Sequence, residues 1–172
     1  MNLSVLLEAN IAILIHAVAA MIAVLLGAII LFGKKGDNFH IYLGRIWSVS
    51  MVMVIVSSAF ISELRIWGPF SPIHIFTVLG AVGLAQGIYY IRIGNINAHK
   101  ASMRNLYYWG LGVAGTFAFM PGRVMNAMFF PNDPLSGFYL ILAAFLIVMG
   151  FRSRTGKGFI FRLQSEYFGR KN

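Results

Sequence analysis

The chain contains no cysteine, and that single absence excludes disulfide staples, thiolate metal centres and cysteine nucleophiles. Any metal chemistry then falls to histidine, methionine or carboxylate. Charge is scarce too: 11% of the residues are Asp, Glu, Lys or Arg, and only 5 of these are acidic. So few carboxylates do not furnish a cage for a hard cation. No nucleophile stands at a useful spacing from a base and no phosphate-binding loop occurs, so hydrolase and kinase chemistries drop out.

What the chain has in abundance is apolar sequence. With 59% hydrophobic residues and a mean hydropathy of +0.77, it lies outside the makeup of soluble domains, and its apolar runs are long enough to cross a bilayer. The expected fold class is an all-α integral membrane protein. Five crossings are predicted, at Ala9 to Phe32, His40 to Ile61, Ser71 to Ile91, Asn105 to Met120 and Leu135 to Phe151. Each approaches the ~20 helical residues that a hydrocarbon core of ~30 Å requires. The fourth is short and glycine-rich, and leaving it out gives four crossings. The first is too long for the core of a signal peptide and is read as retained. Asp37 or Asn38 is placed to cap the second, and Ser71-Pro72 to open the third. Residues 1–152 form the bundle and 153–172 a basic tail, in which "GFIFRLQSEYFGRK" suits an interfacial helix.

Lys and Arg fall unevenly about these segments. Lys34, Lys35, Arg45, Arg92, Lys100, Arg104 and the tail lie on one side, while the other holds Arg65 and Arg123. The positive-inside rule then places the N-terminus outside and the tail in the cytoplasm. The net charge of +9 is read as this topology signal plus attraction to anionic lipid, and not as a nucleic-acid surface.

Against this background 4 histidines stand out. His40 and His99 fall near the cytoplasmic face, and His16 and His74 in the outer half. An ionisable residue inside a membrane is costly and points to function, and histidine is the usual axial ligand of haem iron. Two pairs result: His16 with His74, and His40 with His99, each clamping one b-type haem between antiparallel helices. Counting ~1.5 Å per residue, His16 lies about 6 Å deeper than His74, whereas the inner pair is level. Taken singly, His40, His74 and His99 are also compatible with hydrated interface positions. His16, flanked by "IAILI" and "AVAAMIAVLL", demands a partner or a ligand.

Small residues accompany the histidines. Ala19, Ala20, Ala23 and Gly27 share the face of His16, Gly44 follows His40 by one turn, and glycines thin the third and fourth segments. Such faces admit a flat macrocycle, and they equally serve close helix packing. Arg45, Arg104 and Arg123 are candidate partners for haem propionates, with snorkelling to headgroups as the alternative. The 9 methionines suit Cu(I) in principle and core packing in practice. Tyr89, Tyr90, Tyr107, Tyr108 and Trp109 read as interfacial belt anchors or the wall of a quinone pocket.

The stretch "HAVAAMIAVLLGAIILFGKKGDNFHIYLGRIW" resembles the bacterial membrane family catalogued as domain of unknown function 2306, in which a helix-borne histidine, a glycine, a "KG" turn and an "H…GR" signature recur. "AHKASMRNLYYWGLGVAGTFAFMPGR" is similar to that family's second motif, with Lys100 and Ser102 at the positions of an arginine and a tryptophan. The matching positions are His16, Gly27, Lys35, Gly36, His40, Gly44, Arg45, His99, Met103, Arg104 and Arg123. The resemblance implies a multi-pass helical membrane protein and no settled activity.

The expected function is therefore a cytochrome b-like protein that binds one or two haems through His16, His74, His40 and His99 and transfers electrons, with quinone as a candidate partner. The alternative is a non-catalytic accessory subunit of a larger respiratory or transport complex, and a third reading is a His/Met metal carrier.

Overall fold

The computed structural model describes residues 2–61 and 73–150, and all regular structure among them is helical. A short α1 (Ser4–Leu7) leads into α2 (Ile11–Phe32), α3 (Asn38–Ser58) and α4 (Ile73–Arg92). Then come α5 (Ile96–Asn105), a π-helical segment (Leu106–Val113), α6 (Ala114–Ala118), α7 (Val124–Phe129) and α8 (Pro134–Gly150). Helices α2, α3 and α4 are long and apolar enough to cross a membrane, whereas α8 is a shorter apolar helix. The proposed cap at Ser71-Pro72 and the proposed tail helix lie outside the described residues.

Local chemistry sets the helix ends. Asn10 caps α2 by accepting from the Ala12 N–H at 3.0 Å, and Asp37 caps α3 by accepting from the His40 N–H at 2.8 Å. Asp37 thus holds the role for which Asn38 was the other candidate. At the far end of α2, the Lys35 ammonium donates to the carbonyls of Ile30, Leu31 and Gly33, each at 2.7 Å. Gly36 makes that fold-back by taking φ = +84°, where a side chain is strained. A cation on a helix's last carbonyls contributes up to about 1 kcal/mol. Lys35→Met should therefore lower the thermal unfolding midpoint in detergent by about 2–4 °C. An unchanged midpoint would show that the clamp carries no stability.

Antiparallel packing follows from the cross-helix contacts. His16 meets Ser57 and Ala23 meets Trp47 between α2 and α3. Ser58 meets Thr77 between α3 and α4, and Gly87 meets His99 between α4 and α5. The π segment closes back on α2, where the Tyr107 hydroxyl donates to the Val24 carbonyl at 3.0 Å. The four rods therefore form a ring, α2 beside α3, α3 beside α4, α4 beside α5, and the π segment beside α2. Ala23, Trp47, Met51, Leu84, Leu106 and Leu111 fill its centre. At the end opposite the Lys35 clamp, Leu6 of α1, Ala17 of α2 and Met128 of α7 pack together.

The fourth segment differs from expectation. It begins at Ile96 instead of Asn105 and runs unbroken to Ala118, so His99 lies within a helix and not ahead of one. Asn95 caps its start by accepting from the Ala98 N–H at 3.0 Å. Leu106 and Leu111, five residues apart, are both buried in the core. That spacing matches the i to i+5 bonding of a π-helix, which widens each turn so that both leucines face inward.

Candidate functional site

Each histidine stands on its own rod of the ring. His16 is on α2, His40 on α3, His74 on α4 and His99 on α5. Because α2 lies across from α4, and α3 across from α5, the two expected pairs occupy the two diagonals. They also lie at opposite ends of the bundle. His16 is level with Ser57 near the end of α3, whereas His40 is in the first turn of α3 and His99 pairs with Gly87 near the end of α4.

At the end of the bundle that carries Lys35, His99 Nδ1 lies 2.8 Å from the Gly87 carbonyl oxygen. A carbonyl only accepts, so Nδ1 carries the proton and Nε2 keeps the lone pair. This is the arrangement by which a backbone carbonyl orients a ligating imidazole. His40 is within electrostatic range of His99, Lys35 and Asp37, and its Nδ1 is buried with no hydrogen-bond partner among the described residues. Along α3, His40, Gly44, Trp47 and Met51 follow one another at the i, i+4, i+7 and i+11 spacing of a single face. Trp47 and Met51 are buried in the core, yet a Cβ built on Gly44 would meet nothing within 4 Å. The face that carries His40 is thus open beside Gly44 and closed by the indole of Trp47 below it.

At the opposite end, His16 Nδ1 lies 3.0 Å from the Val54 carbonyl and 3.1 Å from the Ser57 hydroxyl. Its demand for a partner is met by α3, and its Nε2 is again left as the lone-pair nitrogen. The adjacent Ser58 hydroxyl shares a 2.8 Å hydrogen bond with Thr77, one turn along α4 from His74. The hydroxyls of Ser57 and Ser58 on α3 thus reach toward α2 at His16 and toward α4 at Thr77. Ser57, Ser58 and Thr77 went unnoticed in the sequence, where "VSS" ending an apolar run reads only as a helix terminus.

The small-residue faces need correction as macrocycle seats. A Cβ on Gly27 would collide with the Tyr107 ring and come within 2.8 Å of Trp47 Nε1. Gly87 is covered by Met103, Gly112 by Phe145 and Gly83 by Leu106. Ala23 is wholly buried against the core. Protein side chains fill these faces because, in lipid, close van der Waals packing is what joins the helices. Of the small positions singled out, Gly44 and Gly115 meet nothing within 4 Å among the described residues, and Gly44 is the one that lies one turn from a histidine. Tyr107 is corrected as well: its hydroxyl is tied to α2, so it braces the ring instead of anchoring the interface.

The three arginines separate. Arg45 and Arg104 are exposed at the same end as His40 and His99, one residue beyond Gly44 and Met103 respectively. Arg123 is half-buried and engaged at the start of α7. Among the described residues no three of His, Asp and Glu gather into a metal cage, whereas an axially ligated haem iron needs two histidines only.

Neither a curated protein nor a solved structure matches the chain. A family model described as "Predicted membrane protein (DUF2306)" matches residues 13–153, most of the sequence, and the chain belongs to that family of membrane proteins.

Proposed function

We propose that this protein is a b-type haem electron-transfer protein of the bacterial inner membrane, crossing it five times with the N-terminus outside. The crossings are α2, α3, α4, the continuous rod from α5 through α6, and α8. The excess of Lys and Arg on the side of Lys35, Arg45, Lys100 and Arg104 supports the orientation. One observation carries the haem reading: the four histidines lie on two diagonals of one helical ring, at opposite ends, and two of them have Nδ1 tied to a carbonyl.

The residues at the inner end fit a haem. His40 and His99 would hold the haem iron, Gly44 would leave room beside them, and Arg45 and Arg104 would be the partners for its propionates. A bound b haem supplies a one-electron ferric/ferrous couple. The chain's contribution is orientation and exclusion of water. Gly87 holds the His99 imidazole, and Trp47, donating from Nε1 to the Ala23 carbonyl at 2.9 Å, seals the site from the packed centre. At the outer end the same roles fall to Val54 and Ser57 around His16, with His74 as second ligand.

An oxidised and dithionite-reduced visible spectrum of protein purified from haem-replete membranes tests this reading. About two b haems per chain by pyridine haemochrome would fill both diagonals, and one would fill the inner. No haem at all would sink the proposal and leave the accessory-subunit reading in its place.

A further inference from the structure

The corner between α4 and α5 carries charge that the haem reading does not use. Gly94 takes φ = +75° and turns the chain back, so that Ile93, Gly94, Asn95, Ile96, Asn97 and Lys100 line an open basin of about 770 Å³. Arg92 leads into it as the basic residue in the last turn of α4, and like Lys100 it is exposed. Neither cation has a hydrogen bond or ion pair among the described residues, whereas Lys35, at the same end of the bundle, is spent on three helix carbonyls. Asn95 commits its side-chain oxygen to the Ala98 N–H, which leaves its amide N–H groups as donors. Acid is too scarce to neutralise the corner. Of the 5 acidic residues, Asp37 is at this end and caps α3, while Glu8 and Asp133 belong to the opposite end, after α1 and before α8. The other two, Glu63 and Glu166, fall outside the described residues, in stretches that together hold more Lys and Arg than acid.

Charge and depth together select the occupant. Helix α4 is apolar and long enough to cross the membrane and ends at Arg92, so the corner stands where headgroups begin. Exposed Ile93 and Ile96 on either side of the turn favour keeping it within that layer and out of bulk water. Along α4, Val78, Val82 and Tyr89 recur at helical spacing on one exposed face, a surface for acyl chains. A bare acyl chain would leave both cations without a counter-charge. A zwitterionic lipid would bring its own ammonium to a basin in which no described carboxylate receives it. A phosphodiester with an uncharged headgroup meets both cations and brings none. We propose that the α4–α5 corner is a binding site for an anionic phospholipid, whose phosphate is held by Arg92 and Lys100 and whose chains lie along α4. The site is independent of haem.

The test uses the full chain in detergent, titrated with phosphatidylglycerol or with phosphatidylcholine of the same acyl chains and read by native mass spectrometry for retained lipid. Phosphatidylglycerol is expected to be retained in preference. Arg92→Gln and Lys100→Gln should each cut that preference about 5-fold, the worth of one basic residue at a membrane surface. The double variant should abolish it. Lys34→Gln removes an exposed cation from the same end of the bundle but outside the corner, and should leave the preference unchanged. All these changes are to exposed side chains, and a thermal unfolding midpoint equal to the wild type's verifies that each variant is folded. Equal retention of the two lipids by the wild type, or an equal loss in Lys34→Gln, would overturn the proposal by showing that the charge acts diffusely or not at all. Displacement of the lipid by excess inorganic phosphate would overturn it as well, since the corner would then be a site for free anions.

Discussion

Replacing Gly27 with valine is expected to lower the thermal unfolding midpoint in detergent by about 10 °C, corresponding to ~3 kcal/mol for a chain of this size. The physical reason lies in two donors that reach the same turn of α2. Trp47 Nε1 donates to the Ala23 carbonyl at 2.9 Å, and the Tyr107 hydroxyl donates to the neighbouring Val24 carbonyl at 3.0 Å. Both aromatic side chains cross the position where a side chain of residue 27 would begin, so even a Cβ would force them apart. Overpacking costs about 1–3 kcal/mol, and each hydrogen bond lost adds about 1 kcal/mol. Gly87→Ala should cost far less, because the atoms in its way are the flexible end of Met103. Gly44→Ala should be neutral or slightly stabilising, since it meets nothing and gains helix propensity. Equal midpoints for Gly27→Val and Gly44→Ala would refute this account of how the ring closes.

The same three glycines show what was legible in the sequence. Apolar length and the Asp37 signal located α2 and α3 to within a few residues, because hydropathy and capping are local properties. Which glycine admits a neighbour and which faces open space is not local. It depends on the partner helix, so Gly27 and Gly44 look alike in sequence while one is filled by two rings and the other by none. The π segment escaped for a related reason. "LYYWGLGV" has no period of 3.6 or 2, and its inward pair Leu106 and Leu111 is separated by five residues, a spacing that neither helix nor strand patterning seeks. The histidines were found because an imidazole in an apolar run is costly anywhere. Their carbonyl partners, Val54 and Gly87, were invisible, since every residue has a carbonyl and only the fold selects one.

Substituting His99 or His40 by alanine should remove one haem and leave the outer one, halving the haemochrome yield where the wild type carries two. For His99 the loss has two parts, the axial nitrogen and the imidazole that the Gly87 carbonyl orients at 2.8 Å. Exogenous imidazole should therefore restore the spectrum of His99→Gly only in part, because a free ligand is not held in register. Gly44→Leu provides the independent arm. Its Cβ would meet nothing within 4 Å among the described residues, and its side chain would extend into the space beside Gly44 on the His40 face. The variant should fold with an unchanged midpoint yet lose the inner haem. Retention of full haem in His40→Ala and His99→Ala would rule out the inner pair. Loss in those variants with retention in Gly44→Leu would keep the ligands and move the ring plane away from α3. Each result reads a different part of the proposed site, in which the histidines would supply nitrogen and Gly44 would supply room.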